Sequence, residues 1–115
     1  MKTLSNRTRR VGENIRSVLS KHIILREHQV EKLNNVIITV TEVQPTSDLR
    51  HAKVFITSIG GKQKEVLDAL NNSSYLFSKL VAKEIKTKYS PKLSFHQDYS
   101  FEQAKKIEDL INLNK

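Results

Sequence analysis

Four residues with chemically useful side chains lie within six positions of one another: Asp48, Arg50, His51 and Lys53. A carboxylate, an imidazole and two cations in one short stretch could form an acid–base site. Catalysis also requires a nucleophile, a set of metal ligands or a glycine whose backbone N–H stabilises an oxyanion. None of these accompanies this stretch. The sequence therefore favours an architectural interpretation, in which Asp48 caps a turn while Arg50 and Lys53 face outward from a strand.

Two further patterns resemble reactive sites. The stretch 96–98 (HQD) contains potential metal ligands, but the four histidines of the chain lack the spacing of familiar metal sites. The stretch 60–62 (GGK) is glycine-rich, but it matches neither GxGxxG nor GxxxxGK. We therefore expect no metal and no cofactor. Instead, Asp98 is expected to lead into the last helix, His22 to pack in the core, and the two glycines to form a strand-to-helix turn.

The composition indicates one globular domain with a polyanionic partner. The chain has 115 residues, so we expect a single domain over residues 1–115 with its core at about 5–111. The formal net charge of +8 favours nucleic acid as the partner, with an anionic membrane surface second. The absence of cysteine excludes disulfides, thiolate zinc sites and iron–sulfur clusters. Because neither a transmembrane run nor a signal-peptide h-region is present, we expect a cytoplasmic protein that starts at or near Met1.

Hydrophobic periodicity predicts an α+β protein in which helices cover one face of a three-stranded sheet. A right-handed crossover through the middle helices predicts that the third strand runs parallel to the first. All apolar stripes, including that of the last helix, are assigned to the core, which disfavours a role at a membrane surface. The predicted elements are a helix at about 6–26 capped by Ser5, strands at 35–44 and 51–59, a helix from Lys62 to Ser90 interrupted at 71–74, a strand around 93–95, and a last helix with a Ser100–Gln103 capping box.

Several stretches spread over the chain match one known family. They are RTRRVGENIRSVLS at 7–20, VIITVTEVQPTSDLRHAKVFIT at 36–57, VLDALNNSS at 66–74 and SPKLSFHQDYSFEQAKKIEDLI at 90–111. Their order and spacing resemble the ribosome-binding factor A family, a group of bacterial small-subunit assembly factors. The element order α-β-β-α-α-β, with a kinked middle helix and an added C-terminal helix, is similar to a type II KH-like domain.

The resemblance implies a non-catalytic RNA-binding protein of the cytoplasm. It implies that the protein binds the free 30S ribosomal subunit and assists late maturation and processing of 16S rRNA near its 5′-terminal helix. It also implies that this function matters most in the cold. It also implies release before translation with the aid of other assembly factors, such as a small GTPase. We expect a monomer, since nothing in the sequence demands a dimer. The alternatives are a general KH-like RNA- or DNA-binding protein and a small nuclease, whose clustered carboxylates the sequence lacks.

One segment departs from the family pattern. Family members usually carry Ala-x-Gly at the kink between the two middle helices, where Ser73, Ser74 and Tyr75 stand in this chain. Without glycine a nucleotide cannot approach the backbone as closely, so the resemblance does not carry a glycine-dependent clamp over to these residues. Serine can still bend a helix by bonding to an earlier carbonyl, and we expect the kink itself to persist.

Basic residues are grouped on two of the predicted helices. Three lysines share one helix face with Tyr75, whose ring can stack on an unpaired base, although a solvated helix face carries charge as well. Arginines at the start of the first helix oppose the helix dipole, which favours anions there, so we expect them to bind phosphate. The residues expected to contact RNA are Arg7, Arg9, Arg10, Arg16, Arg50, Lys53, Tyr75, Lys79, Lys83, Lys86 and Lys88.

Overall fold

The computed structural model describes residues 6–26, 36–86 and 90–113, and it contains the predicted helices and strands. The predicted cap Ser5, the connection at 27–34, Lys88 and the last two residues lie outside the described residues. The middle helical region consists of two separate helices, which confirms the predicted interruption. The elements are α1 (Asn6–Arg26), β1 (Ile37–Pro45), β2 (His51–Ile59), α2 (Gln63–Asn72), α3 (Ser74–Ile85), β3 (Lys92–Gln97) and α4 (Ser100–Leu113).

The three strands form one sheet in the order β1-β2-β3. β1 and β2 form the predicted antiparallel hairpin, with Ile37 opposite Ile59 and Pro45 opposite Ala52. β3 pairs with β2 in the parallel sense. The prediction that β3 would run parallel to β1 is therefore wrong. The helical crossover connects β2 to β3, and it is these two strands that a right-handed crossover makes parallel.

The core lies between the sheet and the layer formed by α1, α2 and α3. Along β1 the alternation of buried and exposed residues shifts at a bulge between Val40 and Glu42, so that Val43 and Pro45 are also buried. Phe77 of α3 and Phe95 of β3 pack with their rings 5.7 Å apart in an edge-to-face arrangement. Such aromatic pairs contribute about 0.5–1.5 kcal/mol beyond the area they bury. The helix layer is thus fixed to one face of the sheet, as predicted.

Gly12 allows α1 to approach β1 unusually closely. A Cβ atom at this position would lie 2.7 Å from the carbonyl oxygen of Val43 and 3.2 Å from Cδ of Pro45. A helix normally disfavours glycine by about 1 kcal/mol relative to alanine. The close approach explains its presence here, because any side chain would push the helix away from the strand.

The connections on either side of β2 depend on left-handed backbone conformations. Leu49, in the turn that enters β2, has a φ of 61°, which is unfavourable for a residue with a branched side chain. Gly60 and Gly61, after β2, have φ values of 87° and 72°, which glycine adopts without strain. The predicted strand-to-helix turn at these glycines is confirmed.

The apolar stripe of α4 lies outside the core, contrary to the prediction. Ile107, Leu110 and Ile111 are 57%, 61% and 55% exposed. Helical spacing shows that a helix has an apolar side, but it does not show that the same chain covers that side. Among the described helices, none is long and apolar enough to cross a membrane.

Asp98 caps α4, as expected, whereas the predicted capping box is wrong. Ser100 already lies in the helix, and its backbone N–H donates to Oδ1 of Asp98 at 2.8 Å. Thr41, in the bulge of β1, donates its hydroxyl to Oδ2 of Asp98 at 2.5 Å. The hydrogen bonds from Ser100 and Thr41 lower the pKa of Asp98, since they stabilise the carboxylate.

Candidate nucleic-acid interface

The kink between α2 and α3 forms at Ser73 without glycine. Ser73 has φ −102° and ψ 8°, values open to any residue, and its backbone N–H donates to the carbonyl oxygens of Leu70 and Ala69 at 3.1 and 3.3 Å. The next helix starts from the Ser73 carbonyl, which accepts from Leu76 N–H at 3.0 Å. The side chain of Ser73 makes no capping hydrogen bond. The kink persists as predicted, but the backbone of Ser73 produces it rather than a serine hydroxyl.

Two side chains fix the kinked helices against β3. The amide of Asn71 accepts from Phe95 N–H at 2.8 Å and donates to the Phe95 carbonyl at 3.2 Å, as a neighbouring strand would do. The buried hydroxyl of Ser78 donates to the carbonyl of Pro91 at 2.5 Å. The polar residues at 71–74 predict only an interruption of the helix. No local signal identified Asn71 as the residue that satisfies the free edge of β3.

One exposed side of α3 carries Tyr75, Lys79, Lys83 and Lys86, a group that we call the α3 cationic face. Tyr75 is 61% exposed, and the Nζ atom of Lys79 lies 5.9 Å from the centre of its ring. Lys86 ends the helix in a left-handed conformation, with its N–H bonded to the Ala82 carbonyl at 2.9 Å. The predicted co-location of these four side chains on an exposed surface is therefore observed. Lys88, which was expected to extend it, lies outside the described residues.

Glu84, an acid of α3, is bound to α1. Its Oε1 atom lies 2.6 Å from Nε2 of His22 and 3.8 Å from Nζ of Lys21. The hydrogen bond from His22 is the main cause of a lowered pKa at Glu84, and the charge of Lys21 adds to it. Because His22 and Lys21 already engage this carboxylate, it leaves the lysines on the other side of α3 available to an anion. The prediction that His22 packs in the core is wrong, because His22 is half-buried outside the core and links the two helices through Glu84.

The arginines of α1 fall into two groups. Arg7, Arg9 and Arg10 are exposed, and within the described part of the chain they form no ion pair. Arg16 donates to Oε2 of Glu13 at 2.9 Å. An exposed pair of this kind is worth about 0–1 kcal/mol, so a phosphate can compete for Arg16. Arg7, Arg9 and Arg10 can therefore bind an anion without first breaking an ion pair within the described part of the chain.

The stretch around Asp48 is a turn. Oδ1 of Asp48 accepts from the Thr46 hydroxyl at 2.6 Å and from the backbone N–H of Arg50 at 3.0 Å. These two bonds, the first more strongly, lower the pKa of Asp48. The capping role expected for Asp48 is confirmed. Arg50 and Lys53 are exposed at the start of β2, a different element from the one that carries the α3 cationic face.

The structure therefore divides the predicted cations into three groups, on α3, at the start of α1 and at the start of β2. Gly12 packs on Val43 and Pro45, the end of β1 that pairs with the start of β2, so the last two groups lie toward the same end of the sheet. Over residues 6–26, 36–86 and 90–113, no three His, Cys, Asp or Glu side chains are arranged to hold a metal ion.

Comparison with known proteins gives one consistent result. The family described as Ribosome-binding factor A matches residues 7–111 of this chain. The chain belongs to the ribosome-binding factor A family. The relative from Pelagibacter ubique is 44% identical over 96% of this chain and 91% of its own length. The relative from Zymomonas mobilis is 40% identical over 93% of this chain and 77% of its own length.

Solved structures of the ribosome-binding factor A family share this fold. The crystal structure of the factor from Thermus thermophilus superimposes with a TM-score of 0.68 at 17% identity, covering 78% of this chain and 94% of that one. A homology model of the Thermus thermophilus factor, fitted into a cryo-EM map of its complex with the 30S subunit, gives a TM-score of 0.57 at 16% identity, covering 75% of this chain and 93% of that one. At these identities the structural likeness supports the KH-like fold.

Proposed function

We propose that this chain binds the free 30S ribosomal subunit through its 16S rRNA and assists the late maturation and processing of that rRNA near the 5′-terminal helix. The observation that carries the proposal is membership of the ribosome-binding factor A family over residues 7–111. The net charge of +8 supports an RNA partner. We also propose that the protein is a cytoplasmic monomer. Its function would matter most in the cold, because misfolded rRNA refolds slowly at low temperature.

The proposed mechanism uses binding energy and no covalent chemistry. A protein that binds one arrangement of the rRNA more tightly than the others shifts the population toward that arrangement. The other assembly factors, including a small GTPase, then act on the matured subunit and release the protein. The turn role of Asp48 gives the one stretch with acid–base groups a structural function.

The α3 cationic face is the proposed primary contact with rRNA. Lys79 and Lys83 supply charge for phosphates, and the exposed ring of Tyr75 supplies a surface for an unpaired base. The kink at Ser73 offers no glycine for close backbone approach. Recognition at this site would thus rely on side chains rather than on a KH-type backbone clamp.

The test compares two double variants with the same loss of charge. We expect Lys79→Gln/Lys83→Gln to weaken binding to free small subunits and to reduce the slope of log affinity against log salt by about 1.4–1.8, since each lost phosphate contact removes about 0.7–0.9. The matched control is Lys105→Gln/Lys106→Gln on α4, which should leave the slope unchanged. Equal slopes for the two double variants would reject the α3 cationic face as the primary contact.

The second candidate function is a general KH-like RNA- or DNA-binding protein without ribosome specificity. The observation that favours it is the generic nature of the exposed lysines and arginines, which contact phosphates but do not read sequence. The two candidates differ in selectivity. Equal affinity for small subunits, large subunits and unrelated RNA of the same length would support the general binder.

A further inference from the structure

The described helices cover only one face of the sheet, and none of them covers the opposite face, which we call the open face. The buried residues of all three strands point to the helices, so the residues in alternate positions form the open face. The open face consists of Ile37, Thr39, Glu42 and Gln44 from β1, His51, Lys53, Phe55, Thr57 and Ile59 from β2, and Lys92, Ser94 and His96 from β3.

Two aromatic rings lie side by side at the centre of the open face. Phe55 of β2 and His96 of β3 are opposite one another in the parallel ladder, and their ring centres are 5.7 Å apart with a tilt of 36°. The Oγ atom of Ser94 is hydrogen-bonded to Nε2 of His96 at 2.9 Å, which orients the imidazole. His96 is exposed and Phe55 is half-buried. The two neighbouring rings, of which His96 is held by Ser94, offer an aromatic surface on which a planar group can stack.

Cations lie beside this pair on the same strands. Lys53 is two residues before Phe55, and a strand rises by about 3.3 Å per residue, so the two side chains are separated by roughly the length of one nucleotide. Lys92 is two residues before Ser94 on β3 and opposite His51 on β2. Glu42 is the only acid among the outward-facing residues of the described strands. Asp98, which follows β3 in the same alternation and is hydrogen-bonded to Thr41 of β1, adds a second acid at the other end of this face. The open face therefore combines a stacking surface with two lysines at the starts of β2 and β3.

This combination fits single-stranded RNA better than a duplex. In an A-form duplex the bases are stacked on one another, so an aromatic side chain on a flat sheet cannot reach their faces. In a single strand each base presents a face that can stack on an aromatic ring while the phosphates contact lysine. A protein partner would need a continuous apolar area, whereas the residues next to the central pair are polar or charged, and the exposed Ile37 and Ile59 lie opposite one another at the far end of the face.

We propose that the open face binds a single-stranded segment of RNA, with a base stacked on Phe55 and His96 and phosphates held by Lys53 and Lys92. The inference rests on the RNA-binding function proposed above and adds a second surface, on the side of the sheet opposite the α3 cationic face. The protein would then hold two parts of one RNA at once, a structured part against α3 and an unpaired strand against the sheet.

The test uses the full chain and a ten-nucleotide unstructured oligoribonucleotide, measured by fluorescence anisotropy. We expect His96→Gln and Phe55→Leu each to weaken binding about five- to tenfold, since base–aromatic stacking accounts for about that factor at the low end of its range. Lys53→Gln should lower the salt slope by about 0.7. The control Lys64→Gln, at an exposed position of α2 outside the open face, removes the same charge as Lys53→Gln and should leave affinity and salt slope unchanged.

A second measurement locates the RNA directly. An oligonucleotide carrying 4-thiouridine, crosslinked by ultraviolet light, should label the peptide that contains Phe55 or the one that contains His96. Labelling confined to the peptide that contains Tyr75, or full affinity in His96→Gln, would overturn the proposal. Because His96 is exposed, its variant keeps the test valid even if Phe55→Leu fails to fold.

The outcomes separate this proposal from the one on which it rests. Binding to small subunits without binding to the oligonucleotide would overturn the open-face site and leave the ribosome function intact. Binding to the oligonucleotide that is sensitive to His96→Gln, without selectivity for small subunits, would support the open-face site and reject the ribosome function.

Discussion

Replacement of Gly12 by alanine should destabilise the protein, although alanine is the better helix former. The added Cβ would lie 2.7 Å from the Val43 carbonyl oxygen and 3.2 Å from the Pro45 ring, both of which belong to a paired strand and cannot move independently. Either α1 or β1 must therefore shift by several tenths of an ångström. Gly12→Ala thus tests whether the helix that carries the arginines is fixed by its contact with β1.

The expected magnitude is the difference between two opposing effects. Overpacking of this kind costs about 1–3 kcal/mol. The greater helix propensity of alanine returns about 1 kcal/mol. We therefore expect a net loss of about 1 kcal/mol in the free energy of unfolding. In a domain of about 100 residues such a loss lowers the melting temperature by about 4–6 °C.

The assay is urea unfolding of Gly12→Ala followed by circular dichroism, with a thermal melt as a second measure. The matched control is Ser17→Ala, at an exposed position of the same helix, which should be neutral or stabilising by a few tenths of a kcal/mol. A Gly12→Ala variant as stable as Ser17→Ala, or more stable than the wild type, would refute the close approach of α1 to β1.

Three further predictions concern single residues. Asn71→Leu removes both hydrogen bonds to the Phe95 backbone and should cost about 1–2 kcal/mol in urea unfolding, whereas Asn72→Leu, the exposed neighbour, should cost much less. Leu49→Gly should raise the free energy of unfolding by about 0.5–1 kcal/mol, because glycine relieves the left-handed strain at φ 61°; a loss of stability would mean that packing of the leucine outweighs that strain. The pKa of Asp98 is lowered below its ordinary value of 3.8, so its stabilising contribution is present above that pH and is lost as the pH falls through the lowered pKa. Asp98→Asn should therefore be less stable than the wild type at pH 6, with a difference that shrinks in melts below pH 4; a difference that does not vary with pH would contradict this explanation.

The sequence was sufficient to predict the elements because their apolar spacing is strong. Helical spacing through Ile15, Leu19 and Ile23, and alternation through Ala52, Val54 and Ile56, matched the burial that the structure shows. The relative orientation of the strands was harder to predict from the sequence. It depends on which strands the crossover joins, and assigning the crossover to β1 made the predicted orientation of β3 wrong.

The α3 cationic face was predictable, whereas the aromatic pair on the sheet was not. Lysines spaced by four and three residues on a helix must share a face, so Tyr75, Lys79 and Lys83 could be grouped without a structure. Phe55 and His96 are far apart in the chain and become neighbours only through the parallel pairing of β2 and β3. The exposure of the apolar side of α4 could not be predicted either, because amphipathic spacing does not identify what covers that side.

The most direct test of the central claim is sedimentation of the wild-type protein with free small subunits, large subunits and intact ribosomes over a series of salt concentrations. We predict that the protein migrates with the free small subunit alone and dissociates as salt rises, since phosphate contacts release counterions. Equal association with all three particles, or no association with the small subunit at low salt, would contradict it.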